Sequence, residues 1–141
     1  MADVRWHKGS IGWGLFLVLL SLVSCQESRL DRIEREAKDY TLRNCPRRID
    51  VITTLDSVVF RNDGSLDYIY YYTVSLDSLL IAEFNRHAAD IEEKTLHSLR
   101  NSIERDVREI RDAGLNIIYI YKDSVTGKPL QTFRFTKEQY Q

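Results

Sequence analysis

Five tyrosines are the residues of this chain whose type and spacing most invite a chemical role. Tyr68, Tyr70 and Tyr72 fall at every second position, as do Tyr119 and Tyr121, and a strand turns alternate side chains to one face. If the two rows share a face, the sheet carries an aromatic surface able to stack on glycan rings or take a partner protein, because a phenol joins a broad apolar ring to a hydrogen-bonding tip. The same spacing suits tyrosines that simply pair across half-buried strand positions.

Other chemistry is harder to assemble. His97 lies one helical turn after Glu93 and near Asp90, with His87 further back, a grouping without the ligand spacing of a zinc or two-metal site. Ser57, Ser65, Ser75 and Ser78 are explained as strand, turn and cap residues. Asp50 and Asp56 share a strand face without the relation of a glycosidase pair. Gly-x-Ser-x-Gly, His-Glu-x-x-His and glycine-rich phosphate loops are absent from the sequence. Cys45 reads as a small apolar residue beside Pro46 rather than a reactive thiol. The expectation is a protein that is not an enzyme and needs no metal or cofactor.

The elements that position these residues follow from hydrophobic periodicity. Leu30, Ile33, Ala37 and Tyr40 recur at helical spacing, Ser28 and Asp31 suit the start of that helix, and Asn44-Cys45-Pro46 ends it. Ile49, Val51, Thr53 and Leu55 alternate as a strand, with a bulge expected near Ser57. Asn62-Asp63-Gly64-Ser65 is a turn, so a β-hairpin is expected from about Ile49 to Val74. Ser75 and Asp77 are candidate caps for a helical region reaching Ala113, whose apolar face includes Phe84, Ala88, Ile91, Leu96, Leu99, Ile103, Val107 and Ile110. Unbroken, that helix would run about 54 Å, too long for a compact domain of this size, so a break is expected near Asn85 to His87. Gly114 is placed to end it in a left-handed cap. Leu115–Lys122 and Leu130–Phe135 make a second hairpin around the Asp123–Pro129 loop, and Thr136 with Gln139 opens a last helical turn or a frayed tail. The fold class is α+β: an antiparallel sheet of about four strands, two hairpins packed against helices, in the order α-ββ-α(α)-ββ.

Ahead of this domain, Arg5, His7 and Lys8 precede an uncharged apolar run from Ser10 to Ser24. A membrane-spanning helix needs about 20 apolar residues, and this run is shorter and interrupted by Gly12 and Gly14, the pattern of an export signal. Its end, Leu22-Val23-Ser24-Cys25, resembles the lipobox of bacterial lipoproteins. That resemblance covers only the export signal and implies cleavage before Cys25, a diacylglycerol on its thiol and an acylated amino group. The domains are then residues 1–24 as signal peptide and 25–141 as one α+β domain held to the membrane through Cys25. Gln26, rather than an aspartate, after the cysteine resembles the sorting pattern for the outer membrane, with periplasmic face and outer surface both open. The stretch from Asn44-Cys45-Pro46 through Asp50, Thr53 and Leu55-Asp56-Ser57-Val58 to Tyr68 and Tyr70 is similar to a group of small, uncharacterised bacterial envelope proteins, a likeness that implies no activity.

Composition narrows the partners. Taking Asp3, Arg5 and Lys8 from the totals of 20 basic and 21 acidic residues leaves 18 against 20, a net charge of −2 with the signs interleaved. Nothing there attracts nucleic acid or an anionic surface. With Cys25 carrying lipid, Cys45 has no intrachain partner for a disulfide. The function expected is a lipid-anchored, non-catalytic binding or assembly module of the envelope, with a protein or glycan partner met by Tyr68, Tyr70, Tyr72, Tyr119 and Tyr121. Alternatives are a tethered inhibitor or immunity-type protein, for which the Asp123–Pro129 loop is the contact, and a small envelope hydrolase.

Overall fold

The computed structural model describes residues 28–140. Ser28 opens helix α1 (Arg29–Asn44) as a full capping box: its hydroxyl accepts from the Asp31 amide at 3.1 Å, while the Asp31 carboxylate accepts from the Ser28 amide at 3.3 Å. Ile33 and Ala37, one turn apart, are the buried contacts of α1. The helix ends at Cys45, followed by a cis peptide to Pro46. Thr41 lies alongside the sheet, where its hydroxyl accepts from the Val58 amide and donates to the Val58 carbonyl, both at 2.8 Å. One side chain thereby satisfies two backbone groups at a strand edge that would otherwise invite further pairing.

The sheet corrects the expected architecture. It has five strands in the order β1 (Arg47–Arg48), β2 (Thr53–Asn62), β3 (Leu66–Val74), β4 (Asn116–Asp123), β5 (Pro129–Phe135). It is mixed rather than antiparallel, because β3 and β4 run parallel from Asp67↔Asn116 to Val74↔Asp123. The cause is the helical connection, which carries the chain from the end of β3 back to the level of its start, as a parallel neighbour requires. The first hairpin also begins later than Ile49. The Asp50 carboxylate accepts from the Ile52 and Thr53 amides at 2.8 and 2.7 Å, turning residues 49–52 into the link between the short β1 and β2. The bulge lies where the sequence suggests, with the β2–β3 register shifting between Leu55 and Ser57.

The helical connection has three members, α2 (Ser78–Arg86), α3 (Ala88–Asn101) and α4 (Arg105–Asp112). The break at His87 is the expected one, and Asp77 is the cap of α2, accepting from the Leu80 amide at 2.9 Å. A second break at Ser102–Glu104 is not readable from periodicity, and it leaves Ile103 86% exposed instead of on the apolar face. Arg111 holds this corner by donating to the carbonyls of Leu99 and Arg100 at 3.0 and 2.9 Å, satisfying acceptors left free where α3 ends. The chain closes with α5 (Lys137–Tyr140), whose Tyr140 is buried and donates its hydroxyl to the Leu115 carbonyl. The tail is thus part of the core.

One core unites these parts. Ile33 and Ala37 of α1, Leu99 of α3 and Ile110 of α4 join Leu55, Val58 and Phe60 of β2, Ile117 of β4 and Phe133 and Phe135 of β5. The helices therefore share one face of the sheet. Strand alternation puts Asp67, Ile69, Tyr71, Thr73, Ile118 and Arg134 on the other face. Among the described residues, no helix is long and apolar enough to cross a membrane.

Candidate functional site

Strands β3 and β4 bring the five tyrosines together as the sequence suggests, and on the same face. The register sets Tyr70 beside Tyr119 and Tyr72 beside Tyr121, with ring centroids 5.1 Å apart in both pairs and planes inclined by 18° and 14°. Tyr68 extends the row, 5.3 Å from Tyr70. Phe84 of α2 meets Tyr121 edge-on at 5.6 Å, and Phe135 and Phe133 meet Tyr119 and Tyr121 at 6.1 and 5.9 Å. Parallel pairing in register, absent from the expected topology, is what aligns the two rows ring on ring.

The aromatic face is the one the helices cover. All five tyrosines are half-buried and pack against the core cluster, so they floor a cleft between α1 and the α2–α4 layer instead of forming an open outer surface. Among the described residues none of their hydroxyls has a hydrogen-bond partner, in contrast to Tyr140, which donates to Leu115, and Tyr40, which accepts from Arg47 at 3.1 Å. At the α1–α4 end the cleft opens into a cavity of about 110 Å³ lined by Ile33, Glu36, Tyr40, Tyr68, Asp106, Glu109 and Ile110. Arg32 stands nearby, 3.9 Å from both Glu36 and Glu109.

Burial dominates the electrostatics. Loss of water pushes the Tyr68 phenol up to about 12, with the carboxylates of Asp106 and Glu36 adding to the rise. Tyr70, the most enclosed, is raised well above the usual tyrosine range by burial and by the neighbouring phenols. Tyr72, Tyr119 and Tyr121 are raised chiefly by burial as well. All five are therefore neutral phenols at ordinary pH. They can donate and accept hydrogen bonds and present ring faces, but they are poor bases and poor nucleophiles.

The remaining singled-out residues are dispersed. His87 sits at the α2–α3 junction, 3.5 Å from both Glu83 and Asp90, and His97 neighbours Asn101 on the exposed side of α3. No group of three His, Cys, Asp or Glu residues able to hold a metal occurs among the described residues. Asp56 accepts from Thr73 at 2.6 Å and lies 3.4 Å from Lys122, while Asp50 is used in its turn. Cys45 is half-buried and free, its thiol raised by burial and by Asp56 against a lowering effect of Arg47. The Asp123–Pro129 loop is tied down by Asp123, which accepts from Thr126 Oγ1 and the Val125 and Thr126 amides. Cys25 and the segment before it lie outside the described residues.

Sequence reasoning missed Glu36, Tyr40, Asp106 and Glu109. Each lies next to a core position on its helix, Ile33 and Ala37 on α1 or Val107 and Ile110 on α4. The available signal was polar residues flanking two apolar stripes, which becomes a site only when the stripes converge.

Comparison with known proteins adds fold and family. No curated protein matches the chain. The crystal structure of PA3611 from Pseudomonas aeruginosa, a protein inferred to be secreted, is similar with a TM-score of 0.65 over 80% of this chain and 93% of that one, at 15% identity, a likeness of fold. A family model described as Domain of unknown function (DUF8479) matches residues 28–131, nearly all of the sheet and its helices, and the chain belongs to that family.

Proposed function

We propose that the protein is an exported, lipid-anchored and non-catalytic binding module of the bacterial envelope, and that its contact site is the cleft floored by Tyr68, Tyr70, Tyr72, Tyr119 and Tyr121. The observation that carries this reading is the set of five half-buried phenols whose hydroxyls use no partner within the described chain. Phenylalanine would pack the same positions without a polar group needing satisfaction, so five hydroxyls in one cleft are better explained by something they bind than by packing. The raised phenol pKa values favour binding over acid–base chemistry. Export is supported by the signal-like N-terminus and lipobox, and by the likeness in fold to a protein inferred to be secreted.

The test is photo-crosslinking of the full chain in bacterial cells, with p-benzoylphenylalanine placed at Tyr68 in the cleft or at Tyr71 on the opposite sheet face. A contact site in the cleft predicts a discrete adduct from position 68 and none from position 71. Adducts from position 71 alone, or from neither, would reject the cleft.

A further inference from the structure

Resting on that reading of the cleft, we propose that its α1–α4 end receives an organic cation, an alkylammonium or guanidinium group, held between Glu36 and Asp106 over the Tyr68 ring. Asp106 lines the cavity from the first turn of α4 and has neither a hydrogen bond nor an ion pair among the described residues. Glu36 faces it from α1, and its contact there, Arg32, stays 3.9 Å away. Arg32 Nε is itself shielded from solvent without a hydrogen-bond acceptor, so the chain's own cation at the lip does not complete the site. Glu109 is engaged by Arg105 at 3.4 Å and contributes mainly field.

The second line of support comes from the floor. Tyr68 lines the cavity, and Tyr70 beside it is the most enclosed of the phenols yet has no protein partner for its hydroxyl. The negative field of Asp106 reaches both rings, and that of Glu36 reaches Tyr68. A carboxylate pair over phenol rings is disfavoured for an anion and indifferent to a neutral sugar. It suits a cation, which gains charge pairing from the walls and cation–π attraction from the rings in a partly dehydrated space. The cavity of about 110 Å³ has room for a side-chain-sized head group. An arginine or lysine of a partner and a free amine share this chemistry.

The experiment uses the full chain in a non-ionic detergent with carbon-13 in the tyrosine rings. It is titrated with arginine methyl ester, spermidine, a blocked arginine tripeptide, the same tripeptide with citrulline, and a neutral disaccharide. The proposal expects saturable shifts of the Tyr68 ring signals with the cations and none with citrulline. Affinity should fall roughly tenfold in the Glu36→Gln, Asp106→Asn double variant, with Asp106→Glu restoring part of it. Tighter binding of the arginine tripeptide than of the free cations identifies a partner side chain as the source; the reverse order identifies a small amine. No cation-specific saturation, or affinity unchanged in a folded double variant, overturns the proposal. If the position-68 adduct forms in cells while cations fail to bind, the charge assignment falls and the cleft stands. If that adduct is also missing, both fall.

Discussion

Asp67 shows how one carboxylate can hold a sheet together from the face the helices leave. It is only 4% exposed, yet it accepts from Arg134 at 2.8 and 3.3 Å, from Asn116 at 2.8 Å and from Ser65 at 2.7 Å. Burial alone would raise its pKa, but the hydrogen bonds and the Arg134 charge outweigh that and hold it below the usual carboxylate range. A depressed folded pKa means that the stabilisation is complete above the unfolded value near 4 and is lost as pH falls through the folded value. Asp67→Asn should therefore cost about 2 kcal/mol at neutral pH. The gap to wild type should narrow below about pH 4, where the native carboxylate also becomes neutral. Urea unfolding at pH 7 and pH 3 measures both; an equal gap at the two values would show that the charge of Asp67 contributes nothing.

At the scale of elements, the end of α4 is the clearest link between a single residue and the direction of the chain. Gly114 has φ +69° and its amide donates to the Arg111 carbonyl, while the Leu115 amide donates to Ile110, the paired bonds of a Schellman cap. That cap turns the helix directly into β4, and Leu115 is fully buried. A Cβ at Gly114 would meet only Lys137 Cδ at 3.7 Å, so Gly114→Ala tests backbone strain without a clash. It should cost about 1 kcal/mol by chemical denaturation, and a neutral result would mean the left-handed turn is not needed to launch β4. Such local devices were legible in the sequence: this glycine, the Ser28–Asp31 capping box, the Asn62–Ser65 turn, the bulge before Ser57 and the break at His87. Each is decided by residues a few positions apart. The parallel pairing of β3 with β4 was not legible, because it depends on how three helices return the chain across the sheet. Nor was the break at Ser102–Glu104, which rests on Arg111 reaching back to α3. The tyrosine rows were readable by their alternation, but their facing into the helices depends on the whole layer arrangement. So does the acidic cavity beside Tyr68.

For the molecule as a whole, the question is where the cleft operates. The helix α1 begins at Arg29, capped by Ser28, leaving so short a link after Cys25 that a lipid on that cysteine would hold the start of the domain within about 15 Å of the bilayer. Multiple acyl chains make such an anchor stable, where one chain alone binds only marginally. The cleft then samples ligands close to a membrane, and its encounter with an envelope partner is confined to a layer rather than a volume. Cys25→Ala removes the attachment atom while leaving the capping box, the sheet and the tyrosines unchanged. Intact mass of membrane-extracted wild type should match an acylated chain running from Cys25 to Gln141, and the variant should lack that species. If the cleft serves a partner in the envelope, the position-68 adduct should weaken in the Cys25→Ala background although the purified variant binds cations as wild type does. An unacylated or uncleaved wild type would remove the anchor from the account. An adduct of undiminished yield from the unanchored chain would show that the cleft finds its partner without the membrane.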